Sequence, residues 1–576
     1  MGTWTIGKEE TLTGKQYKVG GYDEGLVARI EAQMGLKPLT AKLLASRGIE
    51  DAGKIDRLMH KDIRRDWHAP AEIPGLTAAC DAIEAAVKRG DRIAVFGDFD
   101  TDGVTSTAIM CEALNDLGCK AYPFIPKRDG EGYGLSVAAI DRMVAEFAPD
   151  TVITVDCGIT GAEQVPYMES LGIEVIITDH HEPGDFVPSG VPVCDPRLDP
   201  SIASACLCGA GVALKIAAEL GPRFGRKGFA FRFCELAALG TLADVMELTD
   251  ENRAIVACGI DQMRANPRTG IAALARALGV DLAKVKASDL PFVMIPALNS
   301  AGRMNVPELA CRLLMARDWS EAADLAARLV ENNEKRKELQ AAVSDEALAI
   351  AAGCAREHSV VVAGHGWHSG VKGIVAAKVA DAYGVPALVF SIEDGIASGS
   401  GRSAGNVNLF EVVSACSDLL IRFGGHAGAV GLACEEGKLA QLADRFEELL
   451  SKAPAADFES RADADCPVEI ADLDVDAIAE VESIQPFGNG NPVPRFVIKD
   501  AIVSSPRAMG AAGTTLGFNA EDAQGNKVRA IMFAAPRIDE IVEMDGIHAD
   551  LICEPVINEF RGLVSAEIFV RDMVLG

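Results

Sequence analysis

Six carboxylates and a histidine pair stand at the ends of apolar, strand-like runs within the first 244 residues. No other feature restricts so tightly what this chain can fold into. They are Asp98, Asp100 and Asp102 in VFGDFDTDGVTST, Asp156 in VITVDCGI, Asp179, His180 and His181 in VIITDHHEP, and Asp244 in GTLADVMEL. Carboxylates gathered in one place repel one another or take up protons unless a cation lies among them. The fold must therefore leave room for metal, and for more than one ion. Oxygen ligands joined by an imidazole nitrogen favour Mn²⁺ or Mg²⁺ over structural zinc. A carboxylate bridging two ions would set them about 3.5–4 Å apart, the spacing used in phosphoryl chemistry. Asp156 is the candidate bridge.

The segments carrying these acids repeat one pattern. Between residues 76 and 195 short apolar runs (RIAVFG, AYPFI, TVITV, IEVIIT, VPVCD) alternate with amphipathic stretches such as VTSTAIMCEALNDLG and LSVAAIDRMVAEF. That alternation predicts an α/β domain with a parallel sheet covered on both faces. Ligands of such sheets gather beyond the carboxyl ends of the strands, which is where the acidic motifs fall. If DFDTD stays extended, its period of two places Asp98, Asp100 and Asp102 on one side, with Gly103 opening the following helix.

From Gly209 to about Ala297 the pattern is mostly helical. An Ala-, Glu- and Arg-rich connector then runs from about Pro307 to Glu357, broken near Asp318-Trp319-Ser320, with Ser320 as the expected N-cap. A second α/β unit follows: SVVVAG, the helix VKGIVAAKVADAYG, ALVFS, the Gly-rich GIASGSGRSAGN, RFGGHAGAVGLAC and a closing helix. Ten Asp or Glu and one Arg fall between Asp457 and Glu482, read as a solvated linker and helix face. The remaining β-like runs suit a small barrel or a sandwich. The expected segments are an N-terminal piece (1–75), a catalytic α/β domain (76–300), a helical connector (301–357), a smaller α/β domain (358–452), and an acidic linker with a β-barrel (453–576).

Composition excludes several classes. No run of about 18 apolar residues is present to span a membrane, and the N-terminus lacks an apolar signal core. Fifteen cysteines without paired CxxC spacing suggest free thiols in a reducing cytoplasm. The net charge of −29 weighs against non-specific nucleic-acid binding, yet leaves room for a local basic groove.

The ordered series DFDTDG, VDCG, TDHHEP and LADV resembles the DHH phosphoesterase superfamily, and more closely the RecJ-type single-strand-specific exonucleases. Further matching motifs are IPKRDGEGYGLS (Lys127 to Ser136), LCGAGVALK, PALNSAGRM (Pro296 to Met304), GWHSGVKGIVAAKVAD, SGSGRS (Ser398 to Ser403), FGGHAGAVGL and QPFGNGNPVPRF. The resemblance runs from about Leu39 to the C-terminus. It implies a DHH domain and a smaller DHHA1 domain joined by a long helix, with an appended OB-fold. It implies processive 5′→3′ digestion of single-stranded DNA to nucleoside 5′-monophosphates, in recombination and repair. Two divalent ions, Mn²⁺ or Mg²⁺, are the implied cofactors, with Asp98, Asp100, Asp102, Asp156, His180 and Asp244 as ligands. His181 and Arg303 are implied at the reacting phosphoryl group. Arg128, Ser400, Arg402 and His426 are implied holders of substrate phosphates, with Arg402 in a Gly-rich loop gripping a terminal 5′-phosphate. Single-stranded DNA is the expected partner, with a single-strand-binding protein and a helicase as candidate protein partners and a monomer as the expected state.

Two other readings compete: a DHH phosphatase or nuclease of short oligonucleotides, and a catalytically silent DNA-binding scaffold. A pyrophosphatase is disfavoured because the first motif begins with Asp98 rather than a histidine. In the barrel, Thr514-Thr515-Leu516-Gly517-Phe518 stands where a His-Leu-Lys strand is expected, so a basic residue is missing there. His365 and His368 have HxxH spacing without nearby acids and read as packing residues.

Overall fold

The computed structural model describes residues 2–132, 134–459 and 461–576, and only the backbone of Arg461. Tyr133 of the IPKRDGEGYGLS motif lies outside the described residues. The chain forms two compact units, residues 62–454 with 486–491, and residues 1–61 with 455–485 and 492–576.

The first unit opens on a five-stranded parallel sheet of β1 (Arg92–Phe96), β2 (Lys120–Phe124), β3 (Thr151–Thr154), β4 (Glu174–Thr178) and β5 (Val193–Cys194). The strand order is β2-β1-β3-β4-β5. Alternate residues of β1 feed separate cores. Ile93 and Val95 pack with helices α1 (Leu76–Arg89) and α2 (Thr101–Asp116), while Ala94 and Phe96 pack on the opposite face with Ile140 and Met143. A strand buried on both faces has no polar side, which is why RIAVF reads as a continuous apolar run. The order reverses between β1 and β3. Phe96 is in register with Thr154, so Asp98 and Asp156 leave neighbouring strand ends at that reversal.

A helical layer follows, including α3 (Gly209–Arg223), α4 (Cys234–Ala243) and α5 (Ile295–Arg303). The connector breaks as expected, and α6 (Trp319–Cys354) then runs for 36 residues, about 54 Å at 1.5 Å per residue. Its N-cap is Asp318 rather than Ser320, because the Asp318 carboxylate accepts the Glu321 amide at 2.9 Å.

Beyond α6 stands a second five-stranded sheet: β6 (Val360–His365), β7 (Ala387–Glu393), β8 (Ile396–Arg402), β9 (Arg422–His426) and β10 (Ala429–Glu435), in the order β9-β10-β8-β7-β6. Helix α7 (Lys372–Tyr383) makes the crossover between the parallel β6 and β7. The Gly-rich SGSGR is not a loop. It is the body of β8, paired on both sides, so most of its amides serve the ladder. Its glycines answer to packing: a Cβ on Gly399 would lie 2.5 Å from the Phe390 ring, and one on Gly401 2.6 Å from Leu388.

The second unit contains β11 (Phe496–Met509), β12 (Thr515–Glu521), β13 (Lys527–Met532), β14 (His548–Phe560) and β15 (Leu563–Leu575). Their order β11-β12-β13-β15-β14 closes through β11–β14 pairing, which makes a barrel and not a sandwich. Register shifts at Ile498/Ala501 and Ser504/Arg507 let β11 bend around the closure. The acidic stretch is folded rather than a free linker. Arg461–Ala464 runs parallel to Gln16–Val19, Val475–Glu482 is a helix, and Lys42–Asp472 (2.6 Å) and Arg47–Asp465 (2.7 Å) pair it with the N-terminal segment. Among the described residues no helix is long and apolar enough to cross a membrane. All fifteen cysteines are free.

Candidate active site

The DFDTDG segment turns straight from strand to helix. Helix α2 begins at Thr101, two residues before the expected Gly103, because Asp100 is its N-cap and accepts the amides of Asp102 (2.9 Å) and Gly103 (3.1 Å). The three acids are therefore not arranged by a period of two. Asp102 sits in the first helical turn and accepts the amides of Gly209 (2.7 Å) and Ala210 (2.9 Å) at the N-terminus of α3. Only glycine fits at two of the packing points. A Cβ on Gly209 would lie 2.6 Å from the Asp156 Cβ, and one on Gly240 2.3 Å from an Asp102 oxygen.

The fold nevertheless brings all six expected ligands together. Three groups have ligand atoms within 4.8 Å of one another: Asp98, Asp100 and Asp156; Asp102, His180 and Asp244; and Asp156, His180 and His181. Asp156 and His180 each belong to two groups. His180 Nε2 lies 2.9 Å from Asp156 Oδ1 and 3.7 Å from both Asp102 Oδ2 and Asp244 Oδ2. Asp156 adopts a positive φ of 58°, an uncommon backbone state of the kind stored at functional sites.

The electrostatics of this cluster favours cations among its acids. Burial, then the neighbouring Asp100 charge, pushes Asp98 well above the usual carboxylate range. Burial and the surrounding aspartates do the same to Asp156 and raise Asp244 to about 8. Both oxygens of Asp98 and both ring nitrogens of His180 are buried without a partner in hydrogen-bond geometry. Burial lowers His180, which favours the neutral imidazole with one ring-nitrogen lone pair to offer. Buried oxygen and nitrogen donors of this kind fit a pair of hard divalent cations.

Asp179 lies behind this cluster, and its part was not foreseen. It accepts the amides of Ile159 (2.9 Å) and His180 (2.7 Å), and its carboxylate lies 2.7 Å from His181 Nδ1. Burial opposes charge on His181, but the Asp179 hydrogen bond together with the charges of Asp179, Asp244 and Asp98 outweighs it and raises the imidazole to about 9. Asn299 of PALNSAGRM was also missed. Its side-chain oxygen accepts both the amide and hydroxyl of Thr101 at 2.8 Å, which locks α5 onto the acidic turn.

Beside the acids lies a cluster of cations. Arg128 stacks over the Phe99 ring at 5.5 Å. Arg303 closes α5 and donates to the Gly370 carbonyl at 3.0 Å. Burial lowers Arg303 to about 10, helped by the positive charges of Arg128, Arg336 and Arg402 and opposed by Asp100. Ser400 and Arg402 share one face of β8 by period two. Arg402 and His426 both lie opposite Ala429, so His426 joins that face. His426 is exposed. His365 is also exposed, and its nearest acid is Glu436 at 3.8 Å. His368 caps the turn that follows it by accepting the Gly370 amide.

Comparison with known proteins agrees with this architecture. Family models match the DHH family N-terminal domain over residues 92–241, the DHHA1 domain over 357–452 and the RecJ OB domain over 464–572. The chain is 33% identical to the single-stranded-DNA-specific exonuclease RecJ of Bacillus subtilis, covering 96% of this chain and 70% of that protein. It is 31% identical to the Escherichia coli RecJ, covering 93% and 96% respectively. The crystal structure of Thermus thermophilus RecJ in complex with Mn²⁺ superposes with a TM-score of 0.80 at 28% identity, covering 96% of this chain and 78% of that one. The chain belongs to the RecJ family of single-stranded-DNA-specific exonucleases.

Proposed function

We propose that this protein digests single-stranded DNA from the 5′ end, releasing nucleoside 5′-monophosphates with the help of two Mn²⁺ or Mg²⁺ ions. The observation that carries the reading is a buried group of carboxylates and imidazole placed to hold divalent ions, beside a set of arginines that form no ion pairs among the described residues. Asp98, Asp100 and Asp156 would hold one ion, and Asp102, His180 and Asp244 the other, with Asp156 shared. Bound there, the ions supply Lewis acidity that readies water for attack and steadies the leaving oxygen.

The chain's own residues do the rest. Protonated His181, oriented by Asp179, donates to the scissile phosphoryl group, and Arg303 offsets the charge that builds on it. Arg402, with Ser400 and His426 on the same strand face, grips the terminal 5′-phosphate, and Arg128 holds a phosphate nearer the acids. Water attacks the phosphorus and the P–O3′ bond breaks. The terminal nucleotide leaves with its 5′-phosphate, and the shortened strand carries a new one. Each turnover thereby regenerates the group that Arg402 holds, which fixes the polarity. Family membership supports a role in recombination and repair, a cytoplasmic monomer, and encounters with a single-strand-binding protein and a helicase.

The test uses 5′- and 3′-labelled single strands and a duplex, with and without Mn²⁺, for the parent and Asp156→Ala. The parent should release the 5′ label first and spare duplex, and Asp156→Ala should be inactive. Release from the 3′ end, or equal digestion of duplex, would count against this reading.

A further inference from the structure

Five cations, Arg128, Arg303, Arg336, Arg402 and Lys372, lie close enough for their charges to bear on one another. Among the described residues none of them forms an ion pair. Their partners are neutral: Arg303 donates to Gly370 O, Arg402 to Gly401 O (2.9 Å), and Arg336 to Asn333 Oδ1 (2.8 Å) and Gln340 Oε1 (2.5 Å). Arg336 and Lys372 are buried and the other three half-buried, and Asp98, Asp100, Asp129 and Glu393 bear on the set without pairing with it, so an anion entering among these cations would find charge-assisted donors. Of the five, Arg336 and Lys372 were not among the residues expected at the site, although Lys372 falls within the GWHSGVKGIVAAKVAD motif.

Lys372 is the more telling of these two. It opens α7 and is only 6% exposed. Its ammonium donates to Ser398 O at 2.8 Å and contacts Ser398 Oγ at 3.2 Å. Ser398, Ser400 and Arg402 alternate along β8 and share one face. The next residue, Gly373, packs against the Arg402 guanidinium, where a Cβ would lie 3.0 Å from Nη2. The lysine is thus anchored on the strand face proposed to receive the DNA end, beside the arginine proposed to grip it. Two bonds to Ser398 leave one ammonium proton to donate.

We infer that Lys372 is a further substrate contact, a second cation on the terminal 5′-phosphate that acts with Arg402. The inference rests on the exonuclease reading above. Burial, then the charge of Arg128, lowers the lysine to about 8, with Arg422 adding to the fall and Asp129 and Glu393 opposing it. A phosphomonoester is already dianionic above about pH 7. Its grip should therefore weaken as the lysine loses its proton at higher pH, whereas Arg402 stays charged.

The experiment compares the parent, Lys372→Met and Lys372→Arg on 5′-phosphorylated and 5′-hydroxyl single strands of one sequence. It records KM and kcat with Mn²⁺, and binding by fluorescence anisotropy without divalent ions. Lys372→Met should raise KM and Kd for the phosphorylated strand about tenfold, as expected for one charged hydrogen bond, and leave kcat and the hydroxyl strand nearly unchanged. Lys372→Arg should keep the phosphate preference. That preference should fall between about pH 7 and pH 9 in the parent but not in Lys372→Arg. Equal losses on both strands would make the lysine a mere clamp on Ser398, and no loss would make it a bystander. Either result overturns the proposal. A parent that binds phosphorylated strands better yet cleaves none sinks the exonuclease reading while the binding arm still judges the lysine. A parent whose binding ignores the 5′-phosphate sinks the lysine proposal whatever its activity.

Discussion

Asp98 is 0% exposed and neither of its oxygens meets a donor in hydrogen-bond geometry, so in the absence of metal it costs the fold stability. Saturating Mn²⁺ should raise the thermal unfolding midpoint, by the equivalent of about 2.7 kcal/mol when the ion stands at 100 times its Kd. Asp98→Asn should raise the metal-free midpoint, because it removes the cost of burying a carboxyl that must either stay charged without a partner or take up a proton, and lose most of that Mn²⁺ gain together with activity. An unchanged Mn²⁺ shift in Asp98→Asn would show that this carboxylate holds no ion. Asp98, Asp156 and Asp179 were legible in the sequence because each follows an apolar strand, whereas Asp244, expected at the end of such a run, closes helix α4. The parts played by Asp179, Asn299, Arg336 and Lys372 were not legible. Their roles depend on what another segment places opposite them, and spacing along the chain does not record that.

At the level of elements, the acidic turn depends on helix ends meeting it closely. Asp102 receives the N-terminus of α3, and α4 passes so near that Gly240 has no room for a side chain. Gly240→Ala should therefore push α4 away from Asp102, cost about 1–3 kcal/mol as an overpacked site does, and weaken Mn²⁺ binding. Denaturant unfolding and metal titration would check both effects. Asp318→Ala offers a contrast. It should cost about 1 kcal/mol through loss of the α6 cap and leave metal binding intact. The parallel strands, the long helix and the β-runs could be read from periodicity. The start of α2, the cap of α6 and the strand nature of SGSGR could not. Side-chain capping and packing decided the first two, and close approach of Phe390 and Leu388 decided the third.

Across the whole molecule, a net charge of −29 coexists with a concentrated set of unpaired cations beside the acids. Binding to a polyanion should then rest on that local set, and the cleavage rate on single strands should drop steeply between about 50 and 200 mM salt. A flat salt response would refute this. The sequence by itself determined the α/β architecture, the motif order and the acids that gather, since hydrophobic period and strand-end position are local properties of the chain. Only the tertiary structure decided which carboxylates share a group and which cations stand without acids. It also decided that the acidic stretch near residue 470 is folded against the N-terminal segment. Those outcomes depend on distances between segments far apart in the chain, which no local pattern encodes.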